Sequence, residues 1–326
     1  MKEFKINGND AGQRLDRFVS KAVPLLPESL LHKYIRLKRI KINGKGAKRD
    51  VRLNPGDTVQ MYINDEFFQV PDETNAYLSI AAPKVDIVYE DDNILLADKK
   101  PGMLCHSDGG WAYNTLIAQI QAYLFQKGEW SPRGENSFAP ALCNRIDRNT
   151  GGIVIAAKNA PALRVLNEKI KNRELDKFYL CIVHGSPKPA QGLLTGYLFK
   201  DAVKNQVYIR KSPCPGARTA QTRYRTLAGR NGLSLVECRL VTGRTHQIRA
   251  QLAAAGHPLL GDGKYGRERE NRKFGRSGQA LCSYKLTFDF TTDAGSLAHL
   301  NGRTWQLETV DFVEEYFPGI NISNII

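Results

Sequence analysis

The chain has 326 residues, 42% hydrophobic and 25% charged, which exceeds one small module and suits a globular protein of two domains, or of one large domain with an appendage. Its net charge of +14 points to a polyanionic partner, nucleic acid before others, with a merely soluble basic protein as the bland alternative. The longest apolar run, "GIVIAA", falls far short of a bilayer span, and "MKEFKINGND" has no apolar signal core, so neither a membrane partner nor export is expected. Cysteines at 105, 143, 181, 214, 238 and 282 are scattered without a C-x-x-C, which fits a reducing cytoplasm better than a zinc site or disulfide framework.

Taken in chain order, Leu15, Phe18, Val19, Ala22 and Val23 recur at helical spacing and predict an amphipathic helix over 13–23. After Pro24 and Pro27, the residues Leu30, Leu31, Tyr34 and Ile35 predict a second helix, with Lys33, Arg36 and Arg39 on its other side. "RIKINGKG" alternates around an Asn43-Gly44 turn signal, and "VRLNPGDTVQMYI" reads as a strand. Residues 33–52 hold nine Lys or Arg against one acid, Asp50, denser than a uniformly solvated face needs. With "RLD" at its start, "R...I.ING" in its middle and "NPGD" before the closing strand, residues 12–63 resemble the alpha-L RNA-binding domain of the ribosomal-protein-S4 type. That resemblance implies an RNA partner, held by Lys33, Arg36, Lys38, Arg39 and Lys41, and no particular reaction. Residues 72–84 lack periodicity between Pro71 and Pro83, so the expected division is an RNA-binding domain over 1–71, a linker over 72–84 and a catalytic domain over 85–326.

Beyond Val85 the chain turns to short β-branched and aromatic runs: "VDIVYEDDNILLADKKPG", "GIVIAAK", "KFYLCIVHG", "QTRYRTLA", "SLVECRLVTG" and "LTFDF". Helical patterns are fewer, near 115–125, 161–170 and 245–255, the last stopped by Gly256 and Pro258. The absence of regular β-α alternation predicts an α+β fold with a mixed or antiparallel sheet, preceded by the small α+β module. "GDGKYG" at 261–266 matches a dinucleotide-binding pattern but follows a helix stop rather than a strand, so it is expected to be a loop. No Walker A, H-E-x-x-H or G-x-S-x-G occurs, and the six histidines (32, 106, 184, 246, 257 and 299) show no ligand spacing, so no metal and no cofactor is expected.

"NRIDRNTGG", 144–152, sets one carboxylate, Asp147, between two arginines before paired glycines that let backbone pass close to another element. Alone, that pattern fits a structural ion pair better than a catalyst. Together with "KKPGMLCH" (99–106), "DKFYLCIVHG" (176–185) and "VTGRTHQIRAQLAAAGHPLLGDGKYG" (241–266), the chain resembles the RluA-type pseudouridine synthases over about residues 85–290. The resemblance implies a cofactor-free isomerisation, in which uridine leaves the stack, breaks its glycosidic bond and rejoins the ribose through carbon 5. By position in those motifs it makes Asp147 the catalytic carboxylate, Arg249 its ionic partner and Tyr179 the aromatic that stacks on the base and assists proton removal. It also makes Arg145 the filler of the gap left by the flipped base and Ile248 an apolar contact to it, with Arg244 and His246 of the same motif at the substrate. Read without it, Tyr179 and Ile248 are ordinary core residues and Arg145 a phosphate contact.

Three positions depart from the usual pattern: Asn144 for His, Gly151 for Ser, and Cys282 for His. The expected substrate is large-subunit ribosomal RNA, with transfer RNA as the alternative, acted on by a cytoplasmic monomer in ribosomal RNA processing. Two other classes compete, a retired, non-catalytic ribosome-associated RNA binder and a hydrolase releasing uracil.

Overall fold

The computed structural model describes residues 1–68, 77, 79–107, 114–132, 134–201 and 206–325. An N-terminal unit is built from β1 (Lys2–Lys5), α1 (Leu15–Ala22), α2 (Glu28–Arg36), β2 (Ile40–Ile42), β3 (Lys45–Gly46) and β4 (Thr58–Met61). Both expected helices are present, the first three residues shorter than the expected 13–23. The β2–β3 hairpin turns through Asn43 and Gly44, both at positive φ (50° and 76°), the geometry that Asn-Gly favours in a two-residue turn. The sheet runs β1-β4-β2-β3, and its core is formed by Leu15, Phe18, Val19, Leu31, Ile35 and Val59, all buried. Strand β1, "KEFK", went unread because four residues with one apolar position give almost no periodic signal.

The remainder adds β5 (Ile87–Glu90), β6 (Ile94–Lys99), α3 (Leu116–Gln126), β7 (Ala141–Leu142), β8 (Gly151–Ala157), α4 (Ala160–Lys171) and β9 (Leu175–His184). It continues with β10 (Gln191–Asp201), β11 (Gln206–Arg210), β12 (Arg218–Arg230), β13 (Leu233–Leu240), α5 (Gln247–Ala254) and α6 (Glu268–Arg272). It closes with β14 (Leu281–Phe288), β15 (Thr304–Gln306) and α7 (Asp311–Tyr316). Eleven strands form one sheet, in the order β11-β10-β12-β13-β9-β14-β8-β6-β5, with β15 on β14 and β7 on β8. Every pairing is antiparallel except β14 with β8, so the sheet is mixed and the fold is α+β. All six cysteines are free, and no described helix is long and apolar enough to cross a membrane.

Strand β8 sits fully buried in this sheet, and its entry shows why two glycines stand at 151–152. Gly152 has φ +110°, and a Cβ there would lie 2.3 Å from the Ser283 carbonyl oxygen of β14; at Gly151 it would lie 3.3 Å from the Pro101 ring. The glycines allow β8 to seat between β6 and β14, with the loop 144–150 emerging at that point.

Of the expected linker over 72–84, residues 72–76 and 78 lie outside the described residues. Tyr77 is buried edge-on against Phe125 and Trp130 and belongs to the core of the larger unit. The two units meet through polar contacts. Asp10, fully buried, accepts hydrogen bonds from Asn136 Nδ2 and Ser137 Oγ, both at 2.6 Å, while Asn9 reaches Glu135 and the backbone N–H of Ala160.

Candidate active site

A cleft of about 670 Å³ opens on the face of the sheet that carries Tyr179 of β9. Its walls bring together all seven residues singled out in the larger unit: Arg145, Asp147, Tyr179, Arg244, His246, Ile248 and Arg249. They come from the loop before β8, from β9, and from the start of α5, a span of just over a hundred residues in sequence.

The loop bearing Asp147 is pinned from below. Lys99 is buried, and its ammonium donates to the carbonyl oxygens of Lys100 (3.0 Å), Met103 (2.8 Å) and Arg148 (2.9 Å). Gly102 N–H donates to the same Arg148 carbonyl, Cys105 Sγ to that of Ile146, and the side-chain oxygen of Asn144 accepts from Ile155 N–H at 2.8 Å. "KKPGMLCH" therefore serves as the floor under "NRIDRN". Burial pulls the Lys99 pKa down to about 8, against opposing attraction from Cys105 and Asp147.

Helix α5 is fixed by two buried glutamines. Gln247 accepts from Thr242 Oγ1 (2.8 Å) and Arg244 N–H (3.1 Å) and donates to the Gln221 carbonyl, while Gln251 accepts from Thr222 Oγ1 at 2.6 Å. His246, at the N-cap, has φ +52°, which turns the chain sharply from the Thr-Gly-Arg segment into the helix. Arg249 then points into the cleft. Its Nη1 donates to Asp147 Oδ2 at 2.8 Å, and its Nε and Nη2 donate to the two oxygens of Asp262 at 2.7 and 2.9 Å.

The bidentate pair with Asp262 fixes the guanidinium plane, leaving one edge for Asp147. Asp262 has no exposed side-chain surface, whereas Asp147 keeps a quarter of its own open to the cleft. Burial opposes the charge on Arg249, but its bonds to Asp262 and Asp147 outweigh that, and its pKa is raised. Burial likewise opposes ionised Asp262; Arg249 and the N–H groups of Tyr265 and Lys264 outweigh it, and the carboxyl stays below its ordinary range.

Tyr265 extends the same network: its ring lies under the Arg249 guanidinium at 5.2 Å, and its hydroxyl meets His246 Nδ1 at 2.9 Å and accepts from Val207 N–H. His246 Nε2 stands 3.8 Å from Asp147 Oδ2. Desolvation lowers the His246 pKa despite the pull of Asp147, which favours the neutral imidazole at pH 7. Tyr179 is buried, and its phenol is pushed up to about 12 by burial, Ser283 opposing through a hydrogen bond and Asp147 adding to the rise. Ile248 is buried in the core cluster that includes Tyr179, and Arg145 and Arg244 are exposed at the rim.

Three residues of the site, Asp262, Tyr265 and Lys99, carry no role legible from sequence alone. Asp262 and Tyr265 lie in "GDGKYG", a loop as expected, where the detectable signal is an acid inside a glycine-rich turn that closes on an arginine helix. Lys99 is one of two adjacent lysines, and nothing in the pattern says which is buried. Lys177, also on the cleft wall, carries no signal in "DKFYLCIVHG" that separates it from an ordinary strand residue.

In the N-terminal unit, Lys33, Arg36, Lys38 and Arg39 are exposed, and Lys41 packs its ammonium over Tyr62 at 5.2 Å. Arg36 and Lys38 line a groove of about 520 Å³ with His32, Lys48 and Arg49; Lys33, Arg39 and Lys41 lie outside it.

A carboxylate clamped by a guanidinium at the base of a cation-rimmed cleft, beside a buried aromatic ring, is an arrangement suited to an enzyme that works on a polyanion. The sequence profile of the RNA pseudouridylate synthase family matches residues 93–254. An uncharacterized RNA pseudouridine synthase of Mycoplasma genitalium is 32% identical over 88% of both chains, and ribosomal large subunit pseudouridine synthase C of Escherichia coli is 29% identical over 86% of this chain and 85% of that one. The chain belongs to the RNA pseudouridine synthase family, isomerases that act on RNA. Its fold is shared with human RNA pseudouridylate synthase domain containing 4, at a TM-score of 0.55 and 19% identity over 73% of this chain and 94% of that one.

Proposed function

We propose that this protein isomerises uridine to pseudouridine in large-subunit ribosomal RNA, with Asp147 as the carboxylate that acts at the ribose. The observation that carries the reading is the single-edge contact of Arg249 with Asp147 at 2.8 Å, with Asp262 holding the rest of the guanidinium. This arrangement keeps a negative charge facing the cleft, where it stabilises positive character at C1′ or attacks it as the N1–C1′ bond breaks. The base then turns and C5 bonds to C1′, releasing the carboxylate where it has bonded there; the C5 proton leaves and N1 takes one up, so atoms balance without donor or acceptor.

Tyr179 is suited to stack on the extruded base. With its pKa near 12 it carries a hydroxyl rather than a phenolate at neutral pH, so it takes the C5 proton only if its own proton passes to another acceptor. Ile248 supplies an apolar contact, and Arg145 at the rim enters the duplex gap while Arg244 and His246 meet the backbone.

The ribosomal target rests on the relative from Escherichia coli, whose name states that substrate, and on the basic face of the N-terminal unit. The same proposal includes two domains, supported by separate apolar cores of which the second already takes in Tyr77 from the expected linker over 72–84, and a cytoplasmic monomer, supported by six free cysteines for the compartment.

The test is Asp147→Asn, which keeps shape and removes charge. Tritium release from RNA carrying 5-tritiated uridine is expected to vanish while RNA affinity persists. Retained release refutes the role of Asp147, and appearance of free uracil with the wild-type enzyme would favour a hydrolase instead.

A further inference from the structure

Beyond the cleft, the sheet carries a second surface of unusual chemistry on its opposite face. Directly paired residues of neighbouring strands share a face. The register Phe178↔Arg239↔Arg223↔Leu193 therefore puts these side chains in one row across β9, β13, β12 and β10, opposite to Tyr179. The pairs Tyr197↔Arg210 and Phe199↔Tyr208 continue that face onto the edge strand β11. At the β9 end, Leu180, Leu235 and Tyr284 are covered by Phe312, Val313 and Phe317 of α7 and its flank. At the other end the two faces differ: Leu198, Val207 and Ala220 pack beneath Ala250 of α5, while their strand neighbours on the far side lie open. Leu193 is 44% and Tyr208 38% exposed, and Arg210 and Arg223 are exposed beside them.

The charge on this region is one-sided. On β10–β12 the register puts Arg210, Arg223 and Arg225 on this face, Arg225 held by Glu237, with Asp201 as the one acid these strands add to it, while Lys200 and Arg218 turn to the cleft side. Arg210 lies over the Phe199 ring at 5.5 Å, and among the described residues neither Arg210 nor Arg223 is paired with a carboxylate. A solvated surface without a charged partner commonly intersperses both signs of charge. This one sets flat rings between free guanidinium groups, the pairing that stacks bases and neutralises phosphates along a single strand.

We propose that the outer face of β10–β12, centred on Tyr208, Phe199, Arg210 and Arg223, is a second RNA surface that takes a single-stranded segment of the substrate outside the cleft. The proposal rests on the RNA-isomerase reading for its partner, and on the rings and unpaired arginines for its place. It makes the sheet two-sided: the uridine reacts on one face, and a flanking strand is held on the other around the β11 edge.

The test uses the full chain and a short fluorescein-labelled oligouridylate. Tyr208→Ala is expected to weaken binding about tenfold, within the range for one base stacked on one ring, and Tyr208→Phe to bind as wild type. Arg210→Gln with Arg223→Gln is expected to lower the slope of log affinity against log salt by about 1.4, two phosphates at about 0.7 each. Ultraviolet crosslinking is expected to mark the peptide containing Tyr208. Should Tyr208→Ala fail to fold, Tyr208→Thr, a strand-compatible residue without a ring, replaces it. Unchanged affinity and slope with no crosslink on this face overturn the proposal, including the case in which a protein binds there instead. So does an affinity loss that merely tracks a lowered melting temperature. Those outcomes leave the active-site reading intact, because that reading fails only if wild-type enzyme releases no tritium or Asp147→Asn still does.

Discussion

Replacing Asp262 with Asn tests the reasoning about the site at its most buried point. Asp262 uses four acceptor positions: Arg249 Nε on one oxygen, and Arg249 Nη2 with the N–H groups of Lys264 and Tyr265 on the other. An asparagine keeps one oxygen. If that oxygen stays with the backbone donors, the new NH₂ faces Arg249 Nε, donor against donor, and the guanidinium loses its flat seat. A hydrogen bond to a charged group is worth about 1.5–3 kcal/mol, so about 2 kcal/mol of stability is expected to go, a melting temperature lower by roughly 4–8 °C.

The effect on turnover is larger than that loss suggests. Arg249 touches Asp147 through one edge only, and a tilt that moves the carboxylate by about 1 Å is expected to cost about a hundredfold in kcat. KM for RNA stays near wild type, because the rim arginines and the N-terminal groove are untouched. Acid titration gives an independent readout. The folded-state pKa of Asp262 is depressed, so its contribution is complete above the ordinary carboxyl value and disappears as pH falls through the folded one. Asp262→Asn is therefore expected to flatten the acid limb of the stability curve. Wild-type kcat in a variant with a lowered melting temperature would refute the claim that Asp262 positions Arg249 for chemistry.

Other perturbations probe the loop floor and the groove. Lys99→Met leaves three carbonyl oxygens without their shared donor and is expected to loosen the 146–148 loop, lowering both melting temperature and kcat. Lys99 releases its proton near pH 8 in the folded state and near 10.5 when unfolded, so its burial cost is relieved between those values as pH rises, and the variant is expected to lack that rise in chemical denaturation. Gly152→Ala places a methyl 2.3 Å from the Ser283 oxygen at φ +110° and is expected to prevent stable folding, seen as loss of soluble protein on expression. Arg36→Gln with Arg49→Gln, both lining the N-terminal groove, is expected to reduce the salt slope for duplex RNA by nearly 2 and leave the melting temperature unchanged.

Much of the architecture was legible because its signals are local. The helices over 13–23, 115–125 and 161–170 announced themselves through apolar spacing, and the buried strands through β-branched runs such as "GIVIAA". Strands β10 and β11 were not seen. Gly192 and Gly196 interrupt the alternation of β10 for reasons that lie on other strands, since a Cβ on Gly196 would meet Ile209 at 2.7 Å and one on Gly192 would meet Tyr224 at 3.2 Å. A glycine that makes room for a neighbour reads as a turn until the neighbour is known.

The candidate site divides along the same line. The linear order of residues determined the kinds of group available: a lone acid between arginines, a strand tyrosine, an arginine in "HQIR", and a motif pattern tying them to one family. Only the tertiary structure decided which atoms meet. It set Arg249 between Asp147 and Asp262, chose Lys99 over Lys100 for burial, and left one face of the β10–β12 sheet open. Hydrogen bonds depend on distances of about 3 Å between residues a hundred positions apart, and those distances exist only once the sheet has closed around its core.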